Sequence, residues 1–246
     1  MIGALLLRGL IAGLIAGMLG FGFAKTIGEP QVNLAIAFEA KADAARGDAP
    51  EPVLVSRDVQ SSWGLLTGVL VYGSALGGLF ALVFAASWGR LGSDDPRVFA
   101  VLIALAGFLF VSLLPALKYP PNPPSVGQPD TIGIRTAYFF LMLAGSLAAA
   151  ALGVSVSRRL KDKFGRWYGL LAATGTVIVV AFVLCQLLPD INEVPHDFSA
   201  VVLWRFRIAG LGLQIVLWLG IGLVFGELVQ RYFAQIGNRP SLAPHR

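Results

Sequence analysis

Residues 4–24 read ALLLRGLIAGLIAGMLGFGFA, an apolar stretch interrupted by one charge, Arg8. About twenty apolar residues wound as a helix cross the ~30 Å hydrocarbon core of a bilayer. Gly9, Gly13 and Gly17 recur every fourth residue, and Ala12, Ala16 and Gly20 make a second row. Small residues at i, i+4 form a flat helix face that a neighbouring backbone can approach closely. Arg8 ahead of an apolar run ending in GFA also fits a signal peptide. The glycine rows favour a retained, packed helix.

Working outward, five more runs have this character: about 63–87, 98–117, 134–156, 167–188 and 208–227. The chain is 56% hydrophobic and 13% charged, where a soluble domain carries roughly 25% charged residues. Only helices or closed barrels satisfy the backbone inside lipid, and continuous apolar runs select helices over the alternation of a barrel strand. The expectation is an all-α polytopic bundle of about six transmembrane helices, a single membrane domain over 1–246. The helices form three out-and-back hairpins.

Charge sets the orientation. With the N-terminus inside, 11 Lys and Arg fall on the inner side and 8 on the outer side, over longer outer loops. The run SRRLKDKFGR (157–166) alone holds five of the inner ones. This is a positive-inside pattern, and it places both termini in the cytoplasm. Ten of the 14 acids fall outside. Solubility of exposed loops explains them, as does attraction of a cation to the outer mouth.

The outer loops are then 25–62, 118–133 and 189–207. The first is expected to carry a short helix over 30–46, opened by Pro30 and lying along the interface. Six of the 14 prolines fall in LLPALKYPPNPPSVGQPDTIGIRT, 113–136. Proline presets φ and lacks an N–H donor, so this loop is extended, with turns at Asn122 and Gly127. Tyr119, Pro120, Asn122, Pro123, Pro124 and Asp130 either cap the helix ends rigidly or wall a vestibule that strips water from a cation. The third loop, LLPDINEVPHDFSAVVLWRFR (187–207), shares the LLP opening and a following arginine with the second. Together they read as a parallel repeat.

Motifs for most chemistries are missing. There is no phosphate-binding G-x-x-x-x-G-K-[ST], no H-E-x-x-H, no C-x-x-C and no G-x-S-x-G. Ser74, Ser112 and Ser146 have no histidine nearby in sequence and read as packing residues, so an enzyme is not expected. Cys185 is the only cysteine, which excludes an internal disulfide; in an apolar run it reads as a small hydrophobe. Asp190, Asn192, Glu193, His196 and Asp197 gather oxygen and imidazole donors within eight residues. That set suits transient Co²⁺, Ni²⁺ or Mn²⁺, with no tightly bound cofactor; an exposed polar turn is the plain alternative. Arg135, Arg205 and Arg207 are candidates to latch the outer face onto Asp190, Glu193 or Asp130. Gln186, Gln214 and Glu227 are the polar candidates within spans, with Lys118 near a helix end; the glutamines are expected to bond between helices and Glu227 to sit at the interface.

The segments LKYPPNPPSVGQPDTIGIRTAYF and LLPDINEVPHDFSAVVLWRFRIAGLGLQIVLWLGIGLVFG, with the opening LLLRGLIAGLIAGML and EPQVNLAIAFE, resemble the CbtA family of cobalt-transporter subunits over nearly the whole chain. The resemblance implies a bacterial inner-membrane protein importing cobalt for cobalamin synthesis beside a small single-span, histidine-bearing partner, CbtB. Two functions follow as expectations. One is a permease subunit for a divalent transition metal, capturing the ion weakly at its acidic outer loops. The other is a structural or accessory subunit of a larger membrane complex, packing through its glycine faces.

Overall fold

The computed structural model describes residues 2–47, 54–90 and 95–237. Among these residues there are six long helices and no strand: α1 Ile2–Arg46, α2 Arg57–Ser87, α3 Pro96–Lys118, α4 Ile132–Phe164, α5 Arg166–Leu187 and α6 Ala200–Gly237. All six are long and apolar enough to cross a membrane. The chain is a multi-pass, all-α membrane protein.

One boundary differs from the expected one. No break follows residue 24: the chain runs on as helix to Arg46, so the helix expected over 30–46 is the continuation of α1. The reason is local. Ala24–Gly28 is a π-helical turn, and Pro30 follows two residues later. A proline inside a helix removes one i→i−4 bond and presses on the carbonyl four residues back; a wide π turn just before it relieves both. The same device recurs in α3, where the π turn Phe108–Leu113 precedes Pro115 by two residues. A third π turn, Gln60–Gly64, lies near the start of α2. Asp48, Glu51 and Asp94, counted above among the acids, lie outside the described residues.

The chain divides into two compact units. The first comprises the described residues of Met1–Glu29, Pro52–Ala106 and Gly212–Arg246; the second those of Pro30–Glu51 and Gly107–Leu211.

In the first unit, α1 packs on α2 backbone to backbone. A Cβ added at Gly9 would land on the Gly77 carbonyl and Ala81, and one at Gly13 on the Gly73 carbonyl. At Gly17 it would come within 3.1 Å of the Val69 carbonyl. Lipid tails are as apolar as Leu, so this face is held by van der Waals fit rather than by exclusion of water. Phe80, Phe84, Phe99 and Phe225 form a buried cluster with ring centroids 5.0–5.3 Å apart. Among the described residues no carboxylate pairs with Arg8. Its guanidinium donates to the Leu228 carbonyl (3.3 Å) and the Ala4 carbonyl (2.7 Å) and lies 4.0 Å from the Tyr232 ring centre. Glu29, buried, pairs with Arg57, and Lys25 Nζ donates to the Ser61 carbonyl (2.8 Å). Gln214 is half-buried on α6.

In the second unit, α4 and α5 form a tight hairpin. Gly165, at φ 92°, turns the chain in a region open to glycine. Gly145 then faces Leu184, Gly153 faces Ala173 and Val177, and Gly169 faces Ser157 and Lys161. Ser146, fully buried, donates to the Phe110 carbonyl within the π turn of α3, where the altered helical bonding calls for an outside donor.

Candidate functional site

Some of the polar residues singled out in the sequence (Tyr119, Asn122, Arg135, Asp190, Glu193 and Arg207) meet where the α3–α4 loop joins the α5–α6 loop, within the second unit. The joint starts at Lys118, the last residue of α3. Its side chain is 9% exposed. The ammonium pairs with Asp190 and also donates to the Cys185 carbonyl at 2.8 Å. The neighbouring Tyr119 hydroxyl donates to the Pro189 carbonyl (2.8 Å), and its ring stacks on Tyr138. Burial lifts the Tyr119 phenol above its ordinary pKa, so the hydroxyl remains a donor.

The proline segment runs extended through Pro120–Pro123 with no cis peptide. Its turn falls at 123–126, where the Val126 N–H donates to the Pro123 carbonyl (3.2 Å), one residue beyond the turn expected at Asn122. Ser125 takes φ 67° there, and its hydroxyl donates to the Ala35 carbonyl (3.2 Å). Val126, Ala35 and Phe198 form a small buried core, with Phe38 edge-on to Phe198 at 5.0 Å. Pro123 is buried, Pro120 half-buried and Pro124 exposed. Gly127 is doubly constrained: φ is 117°, and a Cβ would collide with the Arg135 guanidinium.

Glu193 is the second joint. Its side chain is 14% exposed. It accepts from the Gln128 backbone N–H (2.7 Å) and lies 3.4 Å from Arg135 Nε, while Arg135 also donates to the Gln128 carbonyl (3.1 Å). The Thr131 hydroxyl, the Gln128 N–H and the Arg135 charge hold the Glu193 carboxyl below the ordinary carboxylate range. Asn122 accepts from Arg207 (2.9 Å). Glu193 thus meets Arg135; Asp190 meets Lys118 rather than an arginine, Arg207 meets an amide rather than a carboxylate, and Arg205 and Asp130 are exposed.

Asn192, His196 and Asp197 lie exposed on the α5–α6 loop, Asn192 accepting from the Val194 N–H at 3.4 Å. Gln186 is exposed near the end of α5. Among the described residues no three His, Cys, Asp or Glu side chains come together as a metal-binding group. Residues that sequence reading had not placed in the joint are Gln128, Thr131, Ser125, Ala35, Val126 and Phe198. Only the Gly-Gln-Pro run around Gln128 hinted at a turn there.

Neither a curated protein nor a solved structure matches the chain. The family model described as "Probable cobalt transporter subunit (CbtA)" matches residues 2–230, which take in the whole joint and all six helices but the end of α6. The chain therefore belongs to the CbtA family of probable cobalt transporter subunits.

Proposed function

We propose that the chain is the membrane-embedded subunit of a cobalt uptake system in a bacterial inner membrane, with both termini cytoplasmic. The observation that carries this reading is the family match over residues 2–230 on a chain with six membrane-length helices. The concentration of Lys and Arg at 158–166 supports the orientation, which puts the paired loops outside. There Asp190, Asn192, His196 and Asp197 offer exposed oxygen and imidazole donors to an arriving divalent ion. At Asp190 the ion competes with the Lys118 ammonium. Such competition keeps capture weak, and a conducting site must release what it binds. Glu193, nearly enclosed, serves to hold the loops together. The ion passes through the helical bundle without a tightly bound cofactor and without catalysis, and a small single-span partner bearing histidines completes its coordination.

A second reading, an accessory subunit packing through its glycine faces, draws on one observation: Asp190 and Glu193 both already face cations. Radiolabelled cobalt uptake separates the two. Cells lacking their own cobalt importers would express the chain alone, with the histidine-bearing partner, or as Asp190→Asn with His196→Ala. Uptake that requires the chain and slows in the double variant is expected. A membrane-inserted chain that supports no uptake in any combination sinks the importer reading and leaves the accessory one.

A further inference from the structure

Five cations stand within nine residues where α4 turns into α5: Arg158, Arg159, Lys161, Lys163 and Arg166, with Asp162 the one carboxylate among them. All six side chains are exposed. Arg57, Arg97, Lys118, Arg135 and Arg231 each have a carboxylate within 4 Å; among the described residues none of the five at this turn does. The backbone concentrates them. Gly165 reverses the chain in one residue, and Gly169 lets α5 approach so closely that a Cβ there would sit 3.0 Å from both Lys161 Cβ and the Ser157 carbonyl.

Helix electrostatics accounts for part of the cluster. Lys161 and Lys163 occupy the last turn of α4, where the negative end of the helix dipole favours cations. Arg166 is the opposite case: it opens α5, where the positive end of the dipole disfavours it. Arg158 and Arg159 lie a turn too early to benefit. Neither a carboxylate of the described residues nor the helix dipole offsets the charge of these three arginines, which leaves their guanidinium groups open to an external anion. The flanking side chains say which kind. Phe164, Trp167 and Tyr168 are 55–64% exposed beside the cations, and aromatic rings of this sort settle at the headgroup level of a bilayer. Beyond them, only 6% of the apolar window of α5 is buried, against 22–44% for the other five spans.

We propose that the α4–α5 turn is a binding site for anionic phospholipid headgroups. Arg158, Arg159 and Arg166 take the phosphates, a planar guanidinium matching two phosphate oxygens at once. Phe164, Trp167 and Tyr168 brace the glycerol level below. The site does not depend on the cobalt reading.

The test uses the full chain extracted from vesicles of equimolar phosphatidylglycerol and phosphatidylcholine, with retained lipids counted by native mass spectrometry. Wild type is expected to retain phosphatidylglycerol preferentially. Arg158→Gln/Arg159→Gln/Arg166→Gln should cut that preference at least about tenfold, since each cation near an anionic surface contributes on the order of 1 kcal/mol. The triple Lys variant should retain a part intermediate between wild type and the Gln variant, since the charge remains and the bidentate match is lost. Raising KCl from about 50 to 500 mM should collapse it in wild type by screening, a readout that stands even where the Gln variant fails to insert. Equal retention of both lipids by wild type, or a preference indifferent to salt or to the Gln substitutions, overturns the proposal and leaves the cluster to an acidic protein segment.

Discussion

Gly9, Gly13 and Gly17 join α1 to α2 by having no side chain, whereas Lys118, Tyr119, Asn122 and Glu193 join the two loops through side chains that reach across. The difference follows the solvent. Inside a bilayer two helices gain by close backbone approach, and any added atom at the contact removes the fit over several residues at once. At the membrane surface water competes for every polar pair, so each is worth little unless partly enclosed. Lys118 and Glu193 are enclosed, at 9% and 14% exposure, while Asp190 is 94% exposed. The helix contact is therefore all-or-none. The loop contact is a set of modest, separable ties.

Three experiments break or sharpen that contrast. Gly13→Val should have the largest effect, because its Cβ meets the Gly73 carbonyl, an atom of the backbone itself that has no rotamer to shift. Overpacking of this kind costs about 1–3 kcal/mol or more. The variant is expected to lose the monodisperse peak on size exclusion in detergent; a wild-type profile and melting temperature would show that the contact has slack. Gly127→Ala comes next. A side chain at φ 117° is strained by about 1–3 kcal/mol, and the Arg135 guanidinium must also move. Faster hydrogen exchange confined to 119–135, 188–199 and the end of α1 that carries Ala35 and Phe38, with residues 5–20 of α1 and all of α2 unchanged, is the expected pattern; acceleration along residues 5–20 would show that the two contacts are not separable.

The smallest effect is acid. Glu193 has a lowered pKa, so its contribution is present above the ordinary carboxylate value of about 4.3 and is lost only as pH falls through the lower, folded value. Hydrogen exchange of the Gln128 amide should stay slow, once corrected for intrinsic rate, through about pH 4.5 and rise below the ordinary range. A rise already at pH 6 would exclude Glu193 as the group that holds the loops.

The six spans were legible because lipid imposes one demand, a sustained apolar run, and residues 4–24 or 98–117 meet it with no reference to neighbours. The glycine spacing was legible for the same reason. Pro30 was misread: a proline ahead of good helix formers is the usual sign of a helix start, and nothing in the sequence marks a π turn that lets the helix pass through it. The loop ties were the least legible. Lys118 and Asp190 are 72 residues apart, and Gln128 and Glu193 are 65 apart. Charge alone made Arg205 and Arg207 equally good partners; which cation reaches which carboxylate depends on where Gly127 and Ser125 bend the chain.

A π turn also counts residues. It holds one more than the α turn it replaces, and one residue is about 100° of rotation. The turn at 24–28 therefore sets the angular phase of everything from Pro30 to Arg46, including Ala35 and Phe38, which meet Val126 and Phe198. Deleting one residue within 24–28 restores α geometry without shortening either flanking segment. In α3, the turn at 108–113 sets the phase of Pro115 and Lys118 in the same way. Length variation at these two places is rotation rather than insertion.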